Sequence, residues 1–253
     1  MPVLRTKTSR MWLPDALRGL ALLNMLAYHA MYDWVYVFGH ESSWYNIWAP
    51  GCHVWQQYIC WSFILLSGFS FPLAKRPAKN GLIVAGCATV LTFVTAVFMP
   101  SEAIWFGVLH LNAAAVLLTC LVYPLLQRLP AGAGLAASAA LFALTNQLPE
   151  GYLGFENWRL CAVPAGLYKT NWFWLGLPAL TQFASADYFP ILPWVFLFWC
   201  GVFLAEFRKP KRGEAPVVLR PLCAVGRNTL LVYMLHQPVI YGVLWVGHAV
   251  MGR

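Results

Sequence analysis

Charge is what this chain has least of. Asp, Glu, Lys and Arg make up 10% of its 253 residues, against 60% hydrophobic side chains. Soluble domains carry roughly 25% charged residues, so a globular fold wetted on all sides is excluded. Also missing are internal repeats of fixed period, low-complexity tracts and any polar linker that would divide the chain. A single domain over residues 1–253 is therefore expected. The seven cysteines form no CxxC pair and no Cys/His spacing suited to zinc, so no metal site is expected, and they read as small buried hydrophobes. No two histidines share a helix at the spacing of a two-haem site, which leaves a haem protein unsupported.

What the chain does have is apolar runs near the ~20 residues that a helix needs to cross ~30 Å of hydrocarbon. They fall at about 13–37, 52–74, 81–99, 103–127, 132–148, 189–207 and 228–250. The pattern predicts an all-α, polytopic transmembrane bundle of about seven spans. The stretch 149–188 is ambiguous: Asn171 to Leu180 is too short to cross and reads as re-entrant or interfacial, with an eighth span as the alternative. The N-terminal cations and the apolar stretch after them mimic a signal peptide. Asp15 and Arg18 interrupt its start and it runs on too long, so an uncleaved first span is expected.

Cation placement sets the orientation. A cytoplasmic N-terminus gathers Arg5, Lys7, Arg10, Arg18, Lys75, Arg76, Lys79, Arg128, Arg208, Lys209, Lys211, Arg212, Arg220 and Arg227 inside, and leaves Arg159, Lys169 and Arg253 outside. This basic rim accounts for the net charge of +8 without a nucleic-acid partner. It anchors a membrane protein in its bilayer and is also able to hold an anionic ligand. Whether the bundle forms a homo-oligomer stays open.

Ionisable residues inside spans are costly and tend to mark function. At 100° per residue, Asp15, Arg18, Leu22, Met25, His29 and Asp33 fall on one stripe of the first helix. Asp33, one turn beyond His29, is placed to fix the imidazole tautomer. The competing reading has Asp15 and Arg18 snorkelling at the interface and His29 bonding a neighbouring helix. Of the six histidines, His29, His40, His53, His110 and His248 fall in or beyond the outer half on this topology. His236 alone lies nearer the cytoplasm, in Leu235-His236-Gln237-Pro238, where the proline predicts a kink lined by polar groups.

Five blocks then carry a resemblance. They are Arg10-Met11-Trp12-Leu13-Pro14-Asp15-Ala16-Leu17-Arg18-Gly19-Leu20 with Tyr28-His29, Leu66-Ser67-Gly68-Phe69-Ser70, Phe106-Gly107-Val108-Leu109-His110, Asp187-Tyr188-Phe189-Pro190-Ile191-Leu192-Pro193-Trp194, and Gly226-Arg227-Asn228-Thr229 continuing to Pro238. In this order the chain resembles the heparan-alpha-glucosaminide N-acetyltransferase family and its bacterial relatives. The resemblance implies a transmembrane acyltransferase of a bacterial inner membrane. It would take acetyl from cytoplasmic acetyl-CoA, the donor substrate, to an amine or hydroxyl of a sugar or glycan on the outer side. It further implies an essential histidine in the loop after the first helix, eleven residues beyond an important asparagine. His40 falls on the first position and His29 on the second, where this chain departs from the family.

Acyl transfer needs a base, and an imidazole with an ordinary pKa near 6.5 suits neutral pH. His40 is the expected base or acetyl carrier, with His29 and Asp33 beside it. A pantetheine arm would run from Arg18, Arg227 and neighbouring loop cations towards His29, His110 and His40. Asn228 and Tyr233 would line the cytoplasmic mouth, Asn112 the channel and His236 the polar kink before Pro238. The alternative from another class is a glycan or lipid transporter or export partner that uses the polar stripe as a path.

Overall fold

The computed structural model describes residues 11–207 and 213–250. Arg5, Lys7, Arg10, Arg208, Lys209, Lys211, Arg212 and Arg253, which the sequence assigns to membrane sides, lie outside the described residues. Among the described residues the helices are α1 (Trp12–Tyr32), α2 (Pro50–Ser70), α3 (Pro77–Phe98), α4 (Val108–Leu126), α5 (Ala131–Thr145), α6 (Ile191–Phe207), α7 (Arg220–Arg227) and α8 (Thr229–Val250). Pro50, Pro77 and Pro221 sit in first turns, where the missing N–H is no loss. A π-helical turn, Asp33–Val37, extends α1. The fold is all-α, with one small antiparallel hairpin of β1 (Tyr152–Phe155) and β2 (Trp158–Ala162).

By length and composition, α3, α4 and α8 are able to cross a membrane. α6 is as apolar but shorter, and α1 and α2 have the length but carry polar residues such as Asp15, Arg18, His29, Gln56 and Gln57. No eighth span forms within 149–188. Asn171 (φ 50°) and Gly176 (φ 111°) take left-handed conformations and Pro178 follows, so the segment supports only short 3₁₀ turns, at Ala165–Tyr168 and Phe173–Leu175.

The described residues cluster into two compact units, one drawn from 1–63 and 209–253, the other from 64–208, with the boundary inside α2. In the first unit α1 packs against α7 and α8. A Cβ at Gly19 would strike the Leu222 carbonyl, and one at Gly226 would strike the carbonyl of Asp15, so these helices touch backbone to backbone. Leu22, Met25 and Ile59 form the buried core, with Tyr28, Trp55, Phe63, Val225 and Tyr233 against it. Contacts advance in the same sense along α1 with its π turn and along α7 and α8: Gly226 of α7 meets Asp15, then on α8 His236 meets His29, Gln237 meets Asp33 and Tyr241 meets Phe38. α1 and α8 are therefore parallel. Leu231, Leu235, Val239, Val243, Val246 and Val250 of α8 are exposed, an apolar stripe suited to lipid.

In the second unit α6 is the central helix. It packs on α5 through Trp194 against Phe142, on α4 through Trp199 Nε1 donating to Thr119 Oγ1 (3.0 Å), and on the end of α2, where Gly68 and Gly201 allow the close approach. The loop before α6 returns to the start of α4. Asp187 accepts from the Val108 N–H (3.0 Å), capping α4 from 79 residues away, and Phe189 N–H donates to the Phe106 carbonyl (2.9 Å).

A side chain at Gly226 has backbone atoms in its way, which no rotamer change relieves. Gly226→Ala is expected to destabilise the protein in detergent by about 1–3 kcal/mol, read as a lower unfolding temperature. Gly242→Ala, which meets nothing within 4 Å, should leave it unchanged; equal effects would contradict the α1–α7 contact.

Candidate active site

The stripe expected on α1 faces its partners, for Asp15, Leu22, Met25 and Asp33 are all buried. At its lower end Asp15 and Arg18 form an ion pair (3.0 Å). Three turns on, the His29 ring meets the His236 ring edge-on, with centroids 4.8 Å apart. His236 is oriented from its own helix, its Nδ1 donating to the Tyr233 carbonyl, and Tyr233 packs beside it at 5.3 Å. The two imidazoles thus share one depth, which corrects the placement of His236 nearer the cytoplasm than His29. Tyr233 belongs to this level and to the core rather than to a cytoplasmic mouth. α8 continues as one helix through Pro238.

Asp33 is fully buried, and both its carboxylate oxygens accept from Gln237 Nε2, at 2.8 and 3.0 Å. The tautomer-fixing contact expected between Asp33 and His29 is therefore corrected. A buried carboxylate takes the donors within reach, and those come from α8.

Beyond Asp33 the wider π turn closes with the Phe38 N–H donating to the Asp33 carbonyl (2.9 Å), and the chain reverses through Gly39 (φ 72°), a conformation that glycine adopts without strain. His40 N–H donates to the Trp34 carbonyl (3.1 Å), which brings the imidazole onto the Trp34 indole, with centroids 3.8 Å apart and planes 17° apart. His248, from the last turn of α8, meets the His40 ring edge-on at 5.6 Å, and Phe38 packs on both His248 (5.4 Å) and Tyr241 (5.5 Å). His40 Nε2 and His248 Nδ1 are buried with no hydrogen-bond partner among the described residues. From His236 to His248 is twelve residues, a rise of about 18 Å. His29 and His40 thus stand at two levels, each paired with a different α8 histidine.

Beside this outer pair lies an open hollow lined by Met31, Trp34, Glu41, Ser42, Ser43 and Trp44. Tyr45 braces it from below. Its backbone N–H donates to Ser42 Oγ (3.1 Å), its phenol donates to the Tyr28 carbonyl (3.3 Å), and burial pushes its pKa well above the ordinary tyrosine value.

Of the remaining candidates, Arg227 and Asn228 are exposed where α7 ends, next to the residue that touches Asp15 and Gly19. Asn228 Nδ2 donates to the Ala224 carbonyl (2.9 Å). His110 and Asn112 belong to the second unit. His110 Nε2 lies 3.2 Å from Thr92 Oγ1 and its ring stacks on Phe106, while Asn112 Nδ2 donates to the Val108 carbonyl (3.1 Å). Their other polar atoms, His110 Nδ1 and Asn112 Oδ1, are buried without partners among the described residues. Sequence reasoning missed Gln237 and His248. The signal was available in part, since Gln237, Tyr241 and His248 fall within about 40° of one another on α8.

A family model described as heparan-alpha-glucosaminide N-acetyltransferase, catalytic, matches residues 10–238. No curated protein and no solved structure matches the chain.

Gln237 holds the buried Asp33 carboxylate. Gln237→Leu, which leaves that carboxylate without its donor, is expected to cost about 1–3 kcal/mol. Adding Asp33→Asn should recover most of the loss, and a double-mutant cycle on unfolding temperature checks the coupling. Simple additivity would contradict the contact.

Proposed function

Because this chain belongs to the heparan-alpha-glucosaminide N-acetyltransferase catalytic family, and so is a membrane acetyltransferase, we propose that it carries acetyl across a bacterial inner membrane. The donor is cytoplasmic acetyl-CoA, and the acceptor is an amine or hydroxyl of a sugar on the far side. The whole chain acts as one catalytic domain of seven spans, α1 to α6 and α8, with its N-terminus inside. The parallel course of α1 and α8 supports this count, because five crossings between them return the chain to the side from which α1 starts. The cation-bearing connectors support it too. Lys75 and Arg76 lie between α2 and α3 with Lys79 in the first turn of α3, Arg128 lies between α4 and α5, and Arg220 and Arg227 lie on α7, all on one side under that alternation.

The observation that carries the catalytic assignment is His40, its ring clamped by Trp34 and one buried nitrogen left unused. That nitrogen takes the proton of the acceptor N–H or O–H as the acceptor attacks the thioester carbonyl. The C–S bond breaks, and CoA leaves and returns to the cytoplasm. The neighbouring hollow suits a sugar: two indole faces stack on a ring, and Glu41, Ser42 and Ser43 match its hydroxyls or an ammonium. At the other end Arg227 and Arg18 supply the charge for the CoA phosphates. The acetyl arm passes the His29–His236 level.

Proteoliposomes given labelled acetyl-CoA and an amino sugar should form labelled product, and His40→Ala should reduce it at least about 100-fold; unchanged transfer overturns the assignment. CoA should also raise the unfolding temperature, equivalent to about 2.7 kcal/mol at a hundredfold excess over Kd. Arg227→Ala, at an exposed site, should weaken that stabilisation while leaving the unliganded protein intact. No response to CoA would favour a transporter instead.

A further inference from the structure

We infer that His248 is a second catalytic residue, holding the acceptor's reacting atom together with His40. The inference rests on the acyl-transfer reading above and goes beyond the family's reach, since the matched region ends at residue 238.

Four observations carry it. The rings of His40 and His248 come from opposite ends of the chain and meet edge-on at 5.6 Å. One nitrogen of each, His40 Nε2 and His248 Nδ1, is buried and bonded to nothing among the described residues. A buried polar atom without a partner is destabilising unless a bound group satisfies it, and two such atoms on adjoining rings offer one bound group two hydrogen-bonding positions. Both rings are also held in place, His40 by the Trp34 stack and His248 by Phe38, which itself packs on Tyr241. An amine or hydroxyl of a sugar has the chemistry to fill that position, and the hollow walled by Trp34 opens beside it.

In the reaction, the acceptor atom is held between the two nitrogens with its lone pair towards the thioester carbonyl. The new bond to the acetyl carbon forms, the C–S bond breaks, and the acceptor's proton passes to His40. The CoA thiolate takes up a proton from water, and His40 releases its own to water, so the sum is acetylated acceptor plus CoA thiol. His248 keeps its hydrogen bond to the acceptor throughout and fixes its approach.

Two substitutions separate this role from packing. His248→Phe keeps the ring against Phe38 and His40 but removes the nitrogen, whereas His248→Gln keeps a hydrogen-bonding group. In full-length protein in proteoliposomes, with glucosamine as acceptor probe, we expect kcat/KM to fall about 100-fold in H248F and no more than about tenfold in H248Q. Stabilisation by CoA should stay at the wild-type level in both. Wild-type turnover in H248F, or H248Q as inactive as H248F, overturns the inference while His40→Ala remains inactive and the acyl-transfer reading stands. Full activity in His40→Ala removes the His40 assignment and this inference together, whereas no transfer by the wild-type protein removes the acyl-transfer reading itself. If H248F does not fold, H248Q decides against H248A by the same ratio.

Discussion

A fully buried carboxylate governs the first unit. Asp33 lies at the junction of α1 and its π turn with no exposed surface, and burying an ionised carboxylate without donors costs several kcal/mol. The donors it has are the Gln237 amide hydrogens of α8, which ties the first and last long helices in one register. Gly19 and Gly226 make the alignment sterically possible at the other end, since any side chain there would collide with backbone. Once α1 and α8 are parallel and registered, the imidazoles follow. His29 meets His236 below the carboxylate, and His40 meets His248 beyond it.

The blocks that carry the family resemblance are also the places where helices touch. Asp15 to Gly19 lies on Gly226, Gly68 lies on Phe198 and Gly201, and Phe106 to Val108 is stitched to Asp187 to Phe189. Much of what looks like a signature is thus packing: small residues where backbones meet and one carboxylate that caps α4. Among the described residues, His40, His248, His110, Asn112 and Gln237 each keep one buried polar atom without a hydrogen-bond partner, which packing alone does not use.

Hydropathy alone located the long helices within a few residues, because each needs an apolar run of fixed length. It passed over α7, eight residues with an arginine at each end and an apolar stretch far too short to cross a bilayer, and over the hairpin, whose strands are too short to show a period. Helical periodicity predicted the buried stripe of α1 from Asp15 to Asp33. It could not predict that Asp33 turns to a residue 204 positions away, or that His236 and His29 share a depth, because both depend on how α1 and α8 slide past each other. The resemblance pointed to His40. Nothing in the sequence pointed to His248, since only the folded contact distinguishes it from any other residue at the end of a span.

If acetyl crosses the membrane as proposed, donor and acceptor never share a compartment. Sealed vesicles with labelled acetyl-CoA enclosed on the face of the basic rim, and a membrane-impermeant amino sugar on the other face, test it directly. Labelled acetyl-sugar should appear on the acceptor side with unlabelled CoA left on the donor side. Product that forms only when donor and acceptor are placed on the same face would contradict the account.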